Sequence, residues 1–332
     1  MRALLKLLGS LYLLSVAALP ASAWQWPVQP VLIAGAFGGD AGERFRTGDQ
    51  LLRTDDAVGA VADGRVIFVQ RRDSRPDSLP SGLGDFVVVQ HAQYFRSVYA
   101  HLADGSIPHG LKKVVEGETI GRAGSSGRVD QPGLSLSIID VKEQRFVNPV
   151  DLLPAAVDRH PPTVQRAYLS DGTNVQLTDG AVATSSRWAV AAEIIDPAEP
   201  GLVRAASSDI ASAKSEGISP YGIELSLNDK VVSNIRFDFL AFRRGELYLD
   251  QKLRWRFADL YLGPHTYNLG LVDLTPGMNT IKIRTYDFAG NQSVFQQQIL
   301  YGQPVGAGVT PGTSSGKAPA PSSLPDGGAT PP

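Results

Sequence analysis

GLSLSIID, Gly133–Asp140, alternates in steps of two. Side chains of a β-strand point to opposite faces in turn, so Leu134, Leu136 and Ile138 share one face while Ser135 and Ser137 share the other. The apolar face belongs against a core. The two hydroxyls stand close enough on their own face to act together on one small object, such as a metal ion.

Working outward, short apolar stretches of the same kind recur between Gly, Pro, Asn and Asp, and no long segment has a helical period. Residues 31–36, 57–62, 65–70, 85–91, 96–101 and 134–140 read as strands of a first domain. At Asp158-Arg159-His160-Pro161-Pro162 two prolines remove donors that a sheet would need, which places the domain boundary there. Beyond it, residues 188–195 read as a strand, followed by the hairpin GIELSLNDKVVSNIRFDF, whose Asn228-Asp229 turn tolerates positive φ. In NTIKIRTYD, Ile281, Ile283 and Thr285 alternate with Lys282, Arg284 and Tyr286, as in a small β-sandwich buried on one face. The run TPGMNTIKIRTYDFAGNQS resembles strands of the immunoglobulin-like modules that end many secreted bacterial chains.

The fold class is all-β. Its expected organisation is an export signal over residues 1–23, a first domain over 24–157, a linker with the first strands of a second domain over 158–187, an immunoglobulin-like β-sandwich over 188–301, and a disordered tail over 302–332.

Composition narrows the function. Of 332 residues 43% are hydrophobic, enough for two cores, and the net charge of −2 leaves no basic field to attract nucleic acid. With no cysteine, disulfides, thiolate nucleophiles and Cys-based zinc sites are absent. Arg2 and Lys6 lead into an apolar run over residues 7–19 that ends at Ala21-Ser22-Ala23, the pattern of a cleaved export signal. The run is short for a transmembrane anchor, and no cysteine follows the cleavage pattern to carry a lipid. The expected location is the periplasm or cell envelope. The last residues are Pro, Gly, Ser and Ala with little to bury, so ordering them would not be offset.

Several landmarks follow one another through the first domain: Ala57-Val58-Gly59-Ala60 with Ala62-Asp63-Gly64-Arg65-Val66, then Tyr99-Ala100-His101-Leu102, then Gly117-Glu118-Thr119-Ile120-Gly121 and Gly124-Ser125-Ser126-Gly127. Together they resemble the lysostaphin/LytM-type zinc endopeptidases that cut peptidoglycan cross-bridges, over residues 31–154. The resemblance implies a LytM-type β core with a long groove.

The resemblance also implies a zinc site, and there this chain departs from the pattern. Where the family has His-Leu-His, the strand reads Ser135-Leu136-Ser137, so a catalytic and a ligand histidine are both replaced. The family's early His-x-Gly-x-Asp segment falls on FRTGDQLL. Anchoring on Gly48 makes the pair Arg46 and Gln50; a shift of one makes it Phe45 and Asp49. Neither register restores the histidine. Serine hydroxyls stay protonated near neutral pH and bind zinc poorly, and Arg46 would bring a permanent cation. His101 matches the residue that assists the zinc-bound water in active relatives. The expectation is therefore no catalytic residue, no metal and no cofactor, with Arg46, Tyr99, His101, Ser135 and Ser137 lining a binding groove and Gln50 at the remaining family position.

Other chemistries are weaker. Of the five histidines only His91 and His101 fall on adjacent strands, where Asp49 or Asp140 would complete a metal set. A serine hydrolase built on Ser135 or Ser137 with His101 lacks an orienting acid and a nucleophile elbow. Asp55-Asp56 reads as a solvated turn, and residues 71–83, starting at Arg71-Arg72, as an exposed loop, which the family resemblance implies rims the groove. The functional expectation is an exported, non-catalytic LytM-like protein that binds peptidoglycan or regulates a cell-wall hydrolase. The alternatives are an active zinc endopeptidase of peptidoglycan with an unusual site, and a purely structural envelope protein. Removing residues 302–332 is expected to leave the Tm unchanged in a thermal melt, since they have nothing to bury; a fall of several degrees would show that they pack on the body.

Overall fold

The computed structural model describes residues 24–52, 56–72, 81–129, 131–170, 174–176, 179–197, 218–249 and 255–302. The expected export signal, the tail beyond residue 302, Asp55 and most of the loop from Arg71 to Leu83 lie outside the described residues. Ten strands precede the connector at Asp158: β1 (Ile33–Gly35), β2 (Asp49–Leu52), β3 (Ala57–Gly59), β4 (Gly64–Gln70), β5 (Asp85–Gln90), β6 (Phe95–Leu102), β7 (Lys113–Val114), β8 (Thr119–Arg122), β9 (Gly133–Asp140) and β10 (Arg145–Val147). Twelve follow it: β11 (Thr163–Ser170), β12 (Asn174–Gln176), β13 (Ala181–Ala183), β14 (Arg187–Ile195), β15 (Gly222–Leu227), β16 (Lys230–Arg236), β17 (Phe239–Arg243), β18 (Glu246–Leu249), β19 (Tyr261–Gly263), β20 (Thr266–Asp273), β21 (Gly277–Tyr286) and β22 (Gln292–Tyr301). One helical turn, α1 (Phe257–Leu260), precedes β19.

The fold is all-β, as the period-2 patterns predict. The first domain's sheet runs β18-β17-β10-β9-β6-β5-β4-β7, with β2 also on β9 and β1 on β2, while β3 and β8 form a separate pair. In β9 the buried residues are Leu134, Leu136, Ile138 and the terminal Gly133 and Asp140, whereas Ser135 and Ser137 are half-buried. The apolar side faces a core that includes Leu51, Val58, Val87, Val89, Tyr99, Leu102, Ile120, Leu134 and Leu136. Trp26 closes one side of it, its indole N–H donating to the Pro154 carbonyl at 2.7 Å.

The second half builds two five-stranded sheets, β12-β11-β14-β20-β19 and β13-β22-β21-β15-β16. They enclose one core with Val190, Ile194, Ile223, Leu225, Tyr267, Ile281 and Ile283. The orders β11-β14-β20-β19 and β22-β21-β15-β16 follow the two sheets of an immunoglobulin sandwich. At the Asn228-Asp229 turn both residues have positive φ, 49° and 61°, the geometry that a two-residue hairpin requires.

Two features were not legible in the period. The β17–β18 hairpin, within the span expected to form a separate sandwich, instead extends the first domain's sheet: Phe146 pairs with Leu240 across β10 and β17. In return, Phe37 and Phe45 from the segment between β1 and β2 enter the second core, where Phe45 meets Phe257 and Tyr261 edge-on. The Tyr261 hydroxyl donates to the Gly38 carbonyl at 2.9 Å. Asn148 joins the halves as well, its side-chain N–H donating to the Phe237 carbonyl at 2.8 Å and its backbone N–H to that of Asp238 at 2.8 Å. Replacing Asn148 by Ala leaves the Phe237 carbonyl unpaired in a buried setting, so urea denaturation of the full chain should show a loss of about 1–3 kcal/mol.

Candidate binding groove

The site grows from the edge of β9. On one side β9 pairs with β6 through Ala100↔Ser135 and Val98↔Ser137, and on the other with β2 through Gln50↔Ser135 and Asp49↔Leu136. Residues directly opposite in an antiparallel pair share a face. Gln50 therefore stands beside Ser135 on the open face, while Asp49 turns with Leu136 into the interior. Gly48 is where the chain comes closest to β9: a Cβ there would run into the Leu136 carbonyl and the Ser137 hydroxyl.

Arg46 reaches the same face from outside. Gly35 pairs with Gln50, and a Cβ on Gly35 would lie 2.7 Å from the Arg46 Nε. The guanidinium thus covers the side of β1 that faces the same way as Gln50 and Ser135; its Nη2 contacts the Asp40 carbonyl at 3.4 Å. The structure brings Arg46, Gln50, Ser135 and Ser137 to one face, in the arrangement given by the Gly48 register. Phe45, the other candidate for the histidine position, is buried in the second core.

The rest of the open face is apolar and aromatic. The ladder Phe68↔Val88↔Val98↔Ser137 crosses four strands, and Phe86 stacks on Phe68 with centroids 5.3 Å apart. Phe68 is 48% exposed. Beyond it Arg96 donates to Gln90 at 2.7 Å.

Three expectations are corrected. Tyr99 does not line the groove: it is fully buried, its hydroxyl accepts from the Val61 N–H at 2.8 Å, and burial pushes its pKa up to about 12. Period 2 places it with Leu136, opposite Ser135. His91 and His101 are not neighbours. The β5–β6 pairing sets Gln90 opposite Arg96 but Asp85 opposite Leu102, so the two histidines sit at opposite ends of the pair. Nor do the carboxylates suggested as their partners join them, because Asp140 pairs with Arg145 at 3.2 Å and Asp49 faces inward.

His101 stands just beyond the Ala100↔Ser135 pair, with φ of 64° and 7% exposure. Its Nδ1 lies 2.9 Å from the Ser126 carbonyl, which can only accept, so the proton is on Nδ1; burial lowers the ring's pKa and keeps it neutral. Ser126 is fixed in turn, its hydroxyl donating to the Leu102 carbonyl at 2.6 Å and accepting from the Asp85 N–H at 2.8 Å. The Gly124-Ser125-Ser126-Gly127 turn thereby orients the imidazole. His91 serves structure: Nδ1 donates to the Asp63 carbonyl at 2.8 Å, Nε2 accepts from Ser97 at 2.6 Å, and Trp24 covers the ring.

The donors on the open face do not fit a zinc ion. A guanidinium, an amide and two hydroxyls offer neither the imidazoles nor the carboxylate that hold this metal, and the Gln50 Nε2, buried without a hydrogen-bond partner among the described residues, is a donor rather than a ligand. Asp49 is the one carboxylate on β2, and sequence reading missed its role. Its Oδ1 accepts from the Phe37 N–H at 2.9 Å while Oδ2 has no hydrogen-bond partner, and burial pushes its pKa up to about 7 against the opposing pull of Arg46.

Comparison with known proteins assigns the first domain. Residues 47–149 match Peptidase family M23, and a separate family model matches residues 161–300. The first domain is an M23-type peptidase domain, the family of the LytM and lysostaphin enzymes. Outer membrane antigenic lipoprotein B of Haemophilus influenzae is 30% identical over 104 residues, 31% of this chain and 23% of that protein, so the chain spans about a quarter of its relative's length. Among solved structures, the catalytic domain of a mutant of the prophage-encoded M23 protein EnpA from Enterococcus faecalis is 24% identical, covering 36% of this chain and 87% of that one at a TM-score of 0.30. The catalytic domain of lysostaphin from Staphylococcus simulans is 18% identical, covering 33% and 77% at a TM-score of 0.26.

The Asp49 carboxyl makes stability depend on pH. The unfolded carboxyl loses its proton near pH 4 and the folded one near 7. Over that interval the unfolded chain binds fewer protons, so stability falls as pH rises and levels off above it. In urea titrations Asp49→Asn should gain on the parent between pH 4 and 7, by an amount on the order of a few kcal/mol. A difference that stays constant with pH would show that Asp49 titrates normally.

Proposed function

We propose that the protein is an exported, non-catalytic member of the M23-type group that binds peptidoglycan through the open face of its first domain. The observation that carries this reading is one face on which Arg46, Gln50, Ser135 and Ser137 stand together; these are the positions that the family resemblance implies for zinc, and none of them is a good ligand. Hydroxyls, an amide and a guanidinium suit peptide carbonyls, carboxylates and sugar hydroxyls instead. The exposed Phe68–Phe86 stack continues the same face and offers an apolar platform for a sugar ring or peptide side chain. The N-terminal export pattern and the likeness to an outer membrane lipoprotein favour the periplasm or cell envelope. Among the described residues no helix is long and apolar enough to cross a membrane. A cell-wall hydrolase is the other partner that this face would serve, and the immunoglobulin-like half would hold the bound domain in place.

Co-sedimentation of the full chain with purified sacculi tests the reading. Affinity around micromolar or weaker is expected for a shallow polar site. Ser135→Glu and Phe68→Ala should each reduce the bound fraction several-fold with unchanged circular dichroism. A parent chain that binds neither sacculi nor a purified hydrolase removes the proposal, and clearing in a peptidoglycan zymogram would replace it with the active-endopeptidase reading.

A further inference from the structure

A second cluster, far from the open face in the chain, lies where the connector meets the sandwich. Asp158 belongs to the connector, Asp196 directly follows β14, and Asp287 directly follows β21. One oxygen from each carboxylate lies within 4.8 Å of the others. Acidic clusters are common on surfaces, but this one is not at the surface. Asp196 is 1% exposed and Asp287 2%, and both carboxylate oxygens of Asp196 are buried without a hydrogen-bond donor among the described residues. Among the described residues, the charges that act on Asp196 are those of Asp158 and Asp287, both repulsive. A buried carboxylate with no donor and two like neighbours is costly unless a proton or a cation compensates it.

The surroundings hold the three groups in place. Asp287 accepts from the Asn291 backbone at 2.9 Å and side chain at 2.7 Å, and the same side chain donates to the Asp158 carbonyl at 3.1 Å. The Asp196 backbone is fixed by two hydrogen bonds with Ile218, 3.1 and 2.7 Å. Thr285 donates to the Pro162 carbonyl at 3.0 Å and ties the end of the connector to β21. Every group is held by backbone pairing or an asparagine clamp, and the Asp196 oxygens are left unspent.

We propose that Asp158, Asp196 and Asp287 form a calcium site that pins the connector between the two domains to the sandwich. Oxygen-only ligands select a hard cation over zinc or copper. Calcium tolerates irregular sets of protein oxygens at about 2.4 Å, whereas magnesium demands near-ideal octahedral geometry at about 2.1 Å and gives up its water reluctantly. Water and nearby carbonyls would complete the six to eight oxygens that calcium takes. The site makes no use of Arg46, Gln50, Ser135 or Ser137, so it stands or falls separately from peptidoglycan binding.

The test uses the full chain, freed of metal with EDTA and desalted. Calorimetric titration with calcium chloride should show one ion per chain, with Kd on the order of 10⁻⁵–10⁻³ M, and melting at about 1 mM calcium should raise the Tm by several degrees over EDTA. Magnesium should do much less. Asp196→Asn keeps the side chain's shape, and it should abolish both the binding heat and the calcium-dependent rise in Tm. Should that variant fail to fold, Asp158→Asn, on the half-buried connector, is the second substitution and should weaken binding at least tenfold. An unchanged Tm in calcium overturns the proposal, as does a calcium response that survives both substitutions. A parent indifferent to calcium together with an Asp196→Asn variant that melts higher in EDTA would identify Asp196 as a buried, protonated structural acid and overturn it equally.

Discussion

The first domain depends on strand β9 being paired along both edges. One edge is taken by β6 and the other is shared by β2 in its first half and β10 in its second. A strand so enclosed cannot slip, because a shift of one residue would exchange Leu134, Leu136 and Ile138 for Ser135 and Ser137 against the core. The same register that buries the leucines aims the serines at the open face. It also dictates what reaches them, since Gly48 and Gly133 let β2 and β9 approach closely enough for Gln50 to stand beside Ser135.

Through the other half of that edge the constraint reaches the second domain. β10 carries the β17–β18 hairpin, so the first sheet ends in strands contributed by the sandwich half, and Arg145 ties the joint by pairing with Asp140 and lying over Phe239 at 4.7 Å. The exchange is mutual, because Phe37 and Phe45 fill the second core just before the chain turns back to present Arg46. The position of the guanidinium therefore depends on packing in the other domain. Near this junction the Tyr221 hydroxyl donates to Asp151 at 2.6 Å, and Arg236 contacts that same hydroxyl and pairs with Asp238. The open face is thus tied to the packing of both halves of the chain.

The chemistry of the face follows from its donors. Zinc hydrolysis in this architecture needs imidazole and carboxylate to hold the metal and a base to manage the attacking water. The open face is built here by the doubly paired strand, the glycine that lets β2 approach, and the serine turn that orients a neutral His101. The groups on that face are an arginine, an amide and two hydroxyls, which offer neither imidazole nor carboxylate. Asp49 shows how strictly facing decides role, since one residue along β2 from Gln50 a carboxylate is turned into the interior and becomes a cost to the fold.

Much of this was legible in the residues alone. Period 2 in GLSLSIID, the Asn228-Asp229 turn and the alternation from Ile281 to Thr285 are local signals, written within one strand or hairpin, and they determined the all-β class and the facing of Ser135 and Ser137. The same local facing assigns Tyr99 to the core, although its place in a motif pointed to the groove. Short strands such as β2, β7 and β10 carry too few residues for a period to show. The choice between Arg46 with Gln50 and Phe45 with Asp49 needed the pairing of β2 with β9, a contact between segments more than eighty residues apart in the chain. The separation of His91 from His101, the transfer of β17–β18 to the first sheet and the meeting of Asp158, Asp196 and Asp287 likewise rest on which strands pair and which cores fill. Local alternation determines which way a side chain faces, and it is written in the sequence; which other side chains it meets is decided only by tertiary structure, because strand register and core packing join residues whose spacing in the chain carries no record of the contact.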